Sequence, residues 1–271
     1  MDGAIYQSQT YYIDGTNNVI STHDTSNISN TYANIITITN NVTQISTNAF
    51  LYKNIISLSF ESDSSLQTIG ISAFKDNSIN SLVIPNSVIT ISNRAFQNNE
   101  IESLSFESPS SLQTIGSNAF RDNSINSLII PNTVSKIEDY AFFNNNIQDL
   151  SFESDSSLEI ISQGTFQNNS ITSVIFPSSL QTIGYDAFEN NSITSVILSY
   201  YFTSNSSTNL LNSAFDSNVT VSYELIIANN VSEISNNYLE SKNIISLSFE
   251  SGSTLHTIGD YSFKDNSIGN S

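Results

Sequence analysis

Ten short apolar stretches recur along the chain, beginning at Ile36, Leu58, Leu82, Leu104, Leu128, Leu150, Val174, Val196, Leu225 and Leu247. They read Ile36-Thr37-Ile38, Leu58-Ser59-Phe60, Leu82-Val83-Ile84 and so on to Leu247-Ser248-Phe249, and the one wide interval falls between Val196 and Leu225. Self-similarity at this period marks supersecondary units that are each too small to bury an apolar face alone and that stack to share one core. The expected fold is therefore a solenoid of about ten rungs, mainly β with short helical or 3₁₀ turns. The expected organisation is an N-terminal cap or assembly segment at 1–33, followed by the repeat array at 34–271.

Residues 77–100 illustrate one rung. Asn77-Ser78-Ile79 opens it, Leu82-Val83-Ile84 is the strand, Pro85 ends the strand, and Ala95-Phe96 closes the turn. Alternation along a strand sends Leu82 and Ile84 inward and leaves Ser81 and Val83 facing out. Proline lacks a ladder donor, so Pro85, Pro131 and Pro177 stop the strand in alternate rungs. Glu61, Glu107 and Glu153 hold the equivalent place in the rungs between. Two rung types thus alternate.

Two further elements keep step with the strands. A small residue followed by an aromatic one recurs at Phe50, Phe74, Phe96, Phe120, Phe142, Phe188 and Phe215, where a large ring fills the interior beside a close backbone turn. An asparagine two residues before the leading isoleucine recurs at Asn77, Asn99, Asn123, Asn145, Asn169 and Asn191. Its amide both donates and accepts, so stacked copies form a structural ladder that satisfies turn backbone groups. Lys53 and Lys242 occupy this place in two rungs, where the ladder is expected to be interrupted.

The combined pattern IxxxAFxxNxIxxLxIPxSVxxI, over roughly residues 34–268, resembles the leucine-rich repeat of the bacterial surface protein A (BspA-like) type. The resemblance implies a right-handed leucine-rich repeat solenoid. It also implies a cell-surface or secreted, hence extracellular, setting and binding to host proteins, other cells or matrix. It brings no catalytic residues.

Three places depart from the repeat. Within 1–33, Tyr11-Tyr12-Ile13 and Val19-Ile20 flank Asp14-Gly15-Thr16-Asn17-Asn18, which reads as a hairpin. Extra residues near 199–209 read as an insertion loop carrying Tyr200, Tyr201 and Phe202, aromatics suited either to anchoring a partner or to folding back onto the core. After Phe263, Asn266-Ser267-Ile268 begins a further rung. An uncovered last rung would pair with more of the array or with another copy. Residues 41–79 are also echoed at 230–268, with KNIISLSFES and FKDNSI repeated without change.

Composition narrows the chemistry. With 25 acidic and 7 basic residues the net charge is −18, which repels nucleic acid. No apolar run approaches the ~20 residues of a membrane span. There is no cysteine, and His23 and His256 fall near opposite ends of a stack roughly 45 Å long, which removes a histidine-based acid/base or metal cluster. Glu61 with Asp63, and Glu153 with Asp155, supply two carboxylates each without calcium-loop spacing and read as solvated turns. No nucleophile elbow or phosphate-binding loop occurs. No enzyme activity, cofactor or metal is expected.

What remains is the outward strand ribbon. It is mostly serine, with Val83, Ile129, Ile175 and Ile197 at alternate rungs. A flat, weakly charged, half-apolar face suits a protein surface rather than a small molecule. The expectation is a non-enzymatic protein–protein interaction scaffold acting in adhesion or recognition through this ribbon. The alternative is a structural subunit that self-assembles head-to-tail into filaments through its last rung and its N-terminal segment.

Overall fold

A computed structural model describes residues 8–202, 214–227, 229 and 231–269, with the backbone alone at 195 and 197–202. Each rung contributes three segments, and each segment stacks on its counterpart in the next rung. Longer strands such as Ser81–Ile84, Ser103–Phe106, Ser127–Ile130 and Asp149–Phe152 pair in parallel and form the ribbon. Two-residue strands form a second face, eight of them continuous from Val19–Ile20 to Thr182–Ile183. The third face is built of turns around the small-aromatic pair.

Parallel pairing of neighbours throughout follows from the repeat itself, because every rung enters its strand from the same side. Side chains alternate as the pleat requires: Leu82 and Ile84 are buried while Ser81 and Val83 are exposed. The interior is layered. Ile20, Ile45, Ile69, Ile91, Ile115 and Ile137 follow one another down the short-strand face, all fully buried. Beside them the rings of Phe50, Phe74, Phe96, Phe120, Phe142, Phe166, Phe188 and Phe215 stack one on the next, with centroids 4.9–5.5 Å apart. Such ring pairs contribute about 0.5–1.5 kcal/mol each beyond the area they bury.

The Ala-Phe segments, expected as single helical turns, are overlapping turns with bonds three residues back, from Ala49 N to Ser46 O and from Leu51 N to Asn48 O. No α-helix occurs among the described residues. Left-handed residues spaced four apart bracket each pair, as at Ser72 and Asp76, Arg94 and Asn98, and Asn118 and Asp122. This alternation turns every second N–H toward the following rung, so Phe50 N donates to Ala73 O at 2.7 Å and Phe74 N to Ala95 O at 2.8 Å. The short strands point the other way: Gly70 N donates to Ile45 O at 2.8 Å in the preceding rung. Each rung is therefore bonded to both neighbours on more than one face.

Residues 8–33 do not form a hairpin. Ser8–Ile13 pairs in parallel with Ala33–Ile38, and Val19–Ile20 pairs in parallel with Gln44–Ile45. The tight turn is present, with Thr16 N donating to Val19 O at 3.0 Å and Val19 N to Thr16 O at 3.1 Å, but it is the corner of a rung. Its flanking strands join two different sheets, so the boundary drawn at 33/34 marks no change of architecture. The likeness between 41–79 and 230–268 continues upstream into backbone detail. The register skips between Asn34 and Ile35 against the next strand, and skips again at the equivalent place between Tyr223 and Glu224.

Asp24 holds the corner of this first rung. Its carboxylate accepts from the Ser21 hydroxyl at 2.6 Å, the Ser21 N–H at 2.8 Å and the Thr16 hydroxyl at 2.7 Å. These bonds lower its pKa from 3.8 to about 2. A depressed carboxylate pKa gives stability that is complete above the ordinary value and is lost as pH falls through the folded one. Asp24→Asn should therefore show a smaller drop in denaturation midpoint between pH 5 and pH 2 than the unaltered chain, measured by circular dichroism in urea. At Arg94, exposed and left-handed at φ 60°, a side chain opposes its own backbone. Arg94→Gly should raise the unfolding free energy by about 0.5–1 kcal/mol in the same assay, because glycine removes the left-handed penalty at some entropic cost.

Candidate functional site

Two sets of residues singled out by their spacing lie at different places on the rung. One is the asparagine row at the turn corner. Asn77 Nδ2 donates to Phe50 O and Phe74 O, both at 2.9 Å, while its Oδ1 accepts from Lys53 N and Ile55 N, both at 3.0 Å. Asn99, Asn123, Asn145, Asn169 and Asn191 each repeat the bridge. Each amide spans two consecutive phenylalanine carbonyls, and each carbonyl oxygen receives the leading isoleucine N–H of the rung before. Four of the six are buried. Asn266 makes the same set, to Leu239 O, Phe263 O, Lys242 N and Ile244 N, and so belongs to a row that the spacing argument ends at Asn191. Its position three residues after Phe263 is the signal that identifies it. At Lys53, where the row has no amide, the ammonium reaches Ile28 O at 3.1 Å.

The other set is the ribbon. The strands register Val83 against Ser105 and Ile129 against Ser151, so aliphatic and hydroxyl side chains alternate from rung to rung. Val83 is 49% exposed, Ile129 57% and Ile175 88%, high values for large apolar side chains. Ile175 lies where the ribbon backbone is not in a paired strand. Along the rim where the strands end, a carboxylate row recurs every second rung. Glu61 accepts from Asn40 N at 3.1 Å, Glu107 from Asn86 N at 3.1 Å and Glu153 from Asn132 N at 3.0 Å. Each glutamate thus closes the corner of the rung before it, which is why it alternates with proline at that place.

Two shallow depressions, each about 370 Å³, open on the ribbon. One is lined by Leu58, Ser59, Phe60, Ser81, Val83 and Glu107. The other is lined by the equivalent residues two rungs further on: Leu104, Ser105, Phe106, Ser127, Ile129 and Glu153. They arise because a serine rung recedes beside an aliphatic one. Reading the residues alone does not reveal the depressions, yet the two-rung period that places them is written in the sequence.

The aromatic candidates sit differently from expectation. Tyr200, Tyr201 and Phe202 are not in a loop: they end the eight-residue strand Ser195–Phe202, which pairs with Thr220–Ile227 in the register Tyr200↔Leu225 to Phe202↔Ile227. Extension of pairing beyond the length of a mid-array strand absorbs them. Their side chains, that of Ile197 and the stretch 203–213 lie outside the described residues.

On the turn face, carboxylates crowd. Desolvation, then the nearby Glu189 and Asp216 charges, raise the pKa of Asp186. A hydrogen bond and the charge of Asp76 raise that of the Tyr52 phenol. Among the described residues no group of three or more His, Cys, Asp or Glu side chains is placed to hold a metal ion, and no helix is long and apolar enough to cross a membrane.

The sequence matches the family of BspA type leucine-rich repeat regions in six copies, over residues 6–102, 89–208 and 136–270. The chain belongs to that family, whose members are generally scaffolds for protein interaction or surface recognition. Among solved structures it is similar to a leucine-rich repeat protein from Bacteroides ovatus ATCC 8483, at 16% identity and a TM-score of 0.45, over 84% of this chain and 64% of that one. It therefore spans just under two thirds of that protein's length. It is also similar to a leucine-rich cell surface protein from Faecalibacterium prausnitzii A2-165, at 17% identity and a TM-score of 0.38, over 84% of this chain and 79% of that one. The pneumococcal vaccine antigen PcpA matches at 20% identity and a TM-score of 0.34, over 96% of this chain and 73% of that one. No curated protein matches the sequence at a significant level.

The asparagine row makes a sharp prediction. Asn123→Ala would leave Ile101 N without its partner and would take from Phe96 O and Phe120 O one of the two amide donors that each receives, all in a buried corner. Denaturant melts should show a loss of more than about 2 kcal/mol, whereas Ser105→Ala on the exposed ribbon should change stability by under about 0.5 kcal/mol.

Proposed function

We propose that this chain is a non-enzymatic interaction scaffold working at the cell surface, and that the strand ribbon is its contact face. The observation that carries the reading is the row of exposed aliphatic side chains, Val83, Ile129 and Ile175, set at alternate rungs in a surface otherwise mostly of serine. Isolated exposed apolar residues are ordinary, but a regular row on one rigid face is a contact surface with its spacing already fixed. A flat sheet presents no deep cleft, which favours a macromolecular partner over a small substrate.

The strand that carries Ile197, Tyr200, Tyr201 and Phe202 continues this ribbon in the backbone. They lie on the Ser195–Phe202 strand, and that strand and its neighbour Thr220–Ile227 are each twice as long as strands in the middle of the array, so the ribbon is widest there. Residues 8–33, as the first rung, cover the apolar edge of the rung at 33–54 and serve as the N-terminal cap of the stack. The asparagine row is assigned a structural role, since its amides are occupied within the turn corner.

The test compares two variants of the chain against a panel of immobilised extracellular-matrix and cell-surface proteins by surface plasmon resonance. Val83→Ser/Ile129→Ser/Ile175→Ser should weaken binding by about tenfold or more, the cost of removing buried apolar anchors from an interface. Tyr185→Ala, which alters an exposed residue of the turn face, should leave it unchanged. Loss of binding in the turn-face variant with the ribbon variant unaffected would reject the reading.

A further inference from the structure

The ribbon repeats every two rungs, and that doubles its functional period. The two depressions are copies displaced by one rung of each type, so that Ser59 and Val83 of the first correspond to Ser105 and Ile129 of the second. Parallel strands lie about 4.7–4.9 Å apart, so the depressions recur about every 9.4–9.8 Å along the solenoid axis. A partner lying along that axis engages successive depressions only if its own repeat matches.

Resting on the reading of the ribbon as the contact face, we propose that its partner is a basic, proline-rich polypeptide in the polyproline II conformation. It would run along the axis with one residue per turn seated in each depression. A polyproline II helix has three residues per turn and rises about 3.1 Å per residue, a repeat of about 9.3 Å. The mismatch with the ribbon is at most about 0.5 Å per turn. An extended strand presents one face every ~6.7 Å and an α-helix turns every ~5.4 Å, and neither falls into step with neighbouring depressions.

The chemistry agrees with the pitch. Each depression has an aromatic wall, Phe60 or Phe106, and an aliphatic wall, Val83 or Ile129, a slot that accepts a proline ring. The serines between them, Ser59, Ser81, Ser105 and Ser127, offer hydroxyl donors, and a polyproline II backbone has carbonyls with no internal partner to receive them. At the rims stand Glu102, Glu107 and Glu153, in a chain with a net charge of −18, so a cation at every third position meets a carboxylate. The same excess of negative charge opposes a second copy of the chain on this face.

The experiment is fluorescence anisotropy with three labelled peptides of six triplets each: Pro-Pro-Lys, Gly-Ser-Lys and Pro-Pro-Glu. The first should bind about tenfold or more tightly than the second at equal salt, since both carry the same charge but only one is preorganised at the matching pitch. The third should not bind. Ser59→Tyr/Ser105→Tyr, which fills both depressions, should abolish the preference of the first over the second. Equal binding of the two cationic peptides, or an unchanged preference in the filled variant, overturns the proposal. So does binding of cellohexaose in place of any peptide. If Pro-Pro-Lys fails while the Val83→Ser/Ile129→Ser/Ile175→Ser variant still loses its protein partner, only this inference falls and the ribbon reading stands.

Discussion

Every rung of this chain depends on the rung next to it. A single rung carries one isoleucine of the short strand, one phenylalanine of the turn and three to five further buried apolar side chains, too few to close a core around themselves. Stacking supplies what is missing three times over. It completes the apolar layer, pairs the strand and turn backbones with both neighbours, and places each asparagine amide across two phenylalanine carbonyls. Removing the neighbour would expose the ring and leave strand and turn backbone groups without their inter-rung partners together, so the contact between rungs is the unit of stability.

Much of this is legible in the sequence because the period is plain and because each position in the rung answers to one demand. Leu82 and Ile84 face inward since the pleat allows nothing else once Val83 faces out. Phe96 lies in the interior since a small residue precedes it at a close turn. The first rung is harder. Asp14-Gly15-Thr16-Asn17-Asn18 makes a tight turn in either a hairpin or a solenoid corner, and local chemistry does not distinguish them. What decides is parallel pairing with a distant part of the chain, Ser8 with Ala33 and Val19 with Gln44. Nothing in the local stretch encodes that. The aromatic run at 200–202 misleads for a related reason: a serine- and asparagine-rich neighbourhood suggests a loop, but the adjacent strand offers pairing as far as Ile227, and the backbone takes it.

The candidate contact face is legible in its residues but not in its relief. Val83, Ile129 and Ile175 stand out as apolar letters in a hydrophilic row. The hollows between them do not, because a hollow is a property of two neighbouring rungs: a serine is only a recess when a longer side chain flanks it. The relation of Ser105 to Ile129 passes through a full circuit of chain and a single strand pairing.

The alternation of the two rung types also bears on how such a chain can change in length. Excising two consecutive rungs removes one of each type, so that serine rows, aliphatic rows, corner glutamates and corner prolines all rejoin in phase. Excising a single rung sets two of like kind side by side, so that either a glutamate meets another glutamate rung in place of a proline corner, or two proline rungs adjoin with no glutamate to close the corner between them. Genes of this architecture can therefore shrink or grow in pairs of turns without disturbing the surface they present, while odd-numbered changes leave a visible fault.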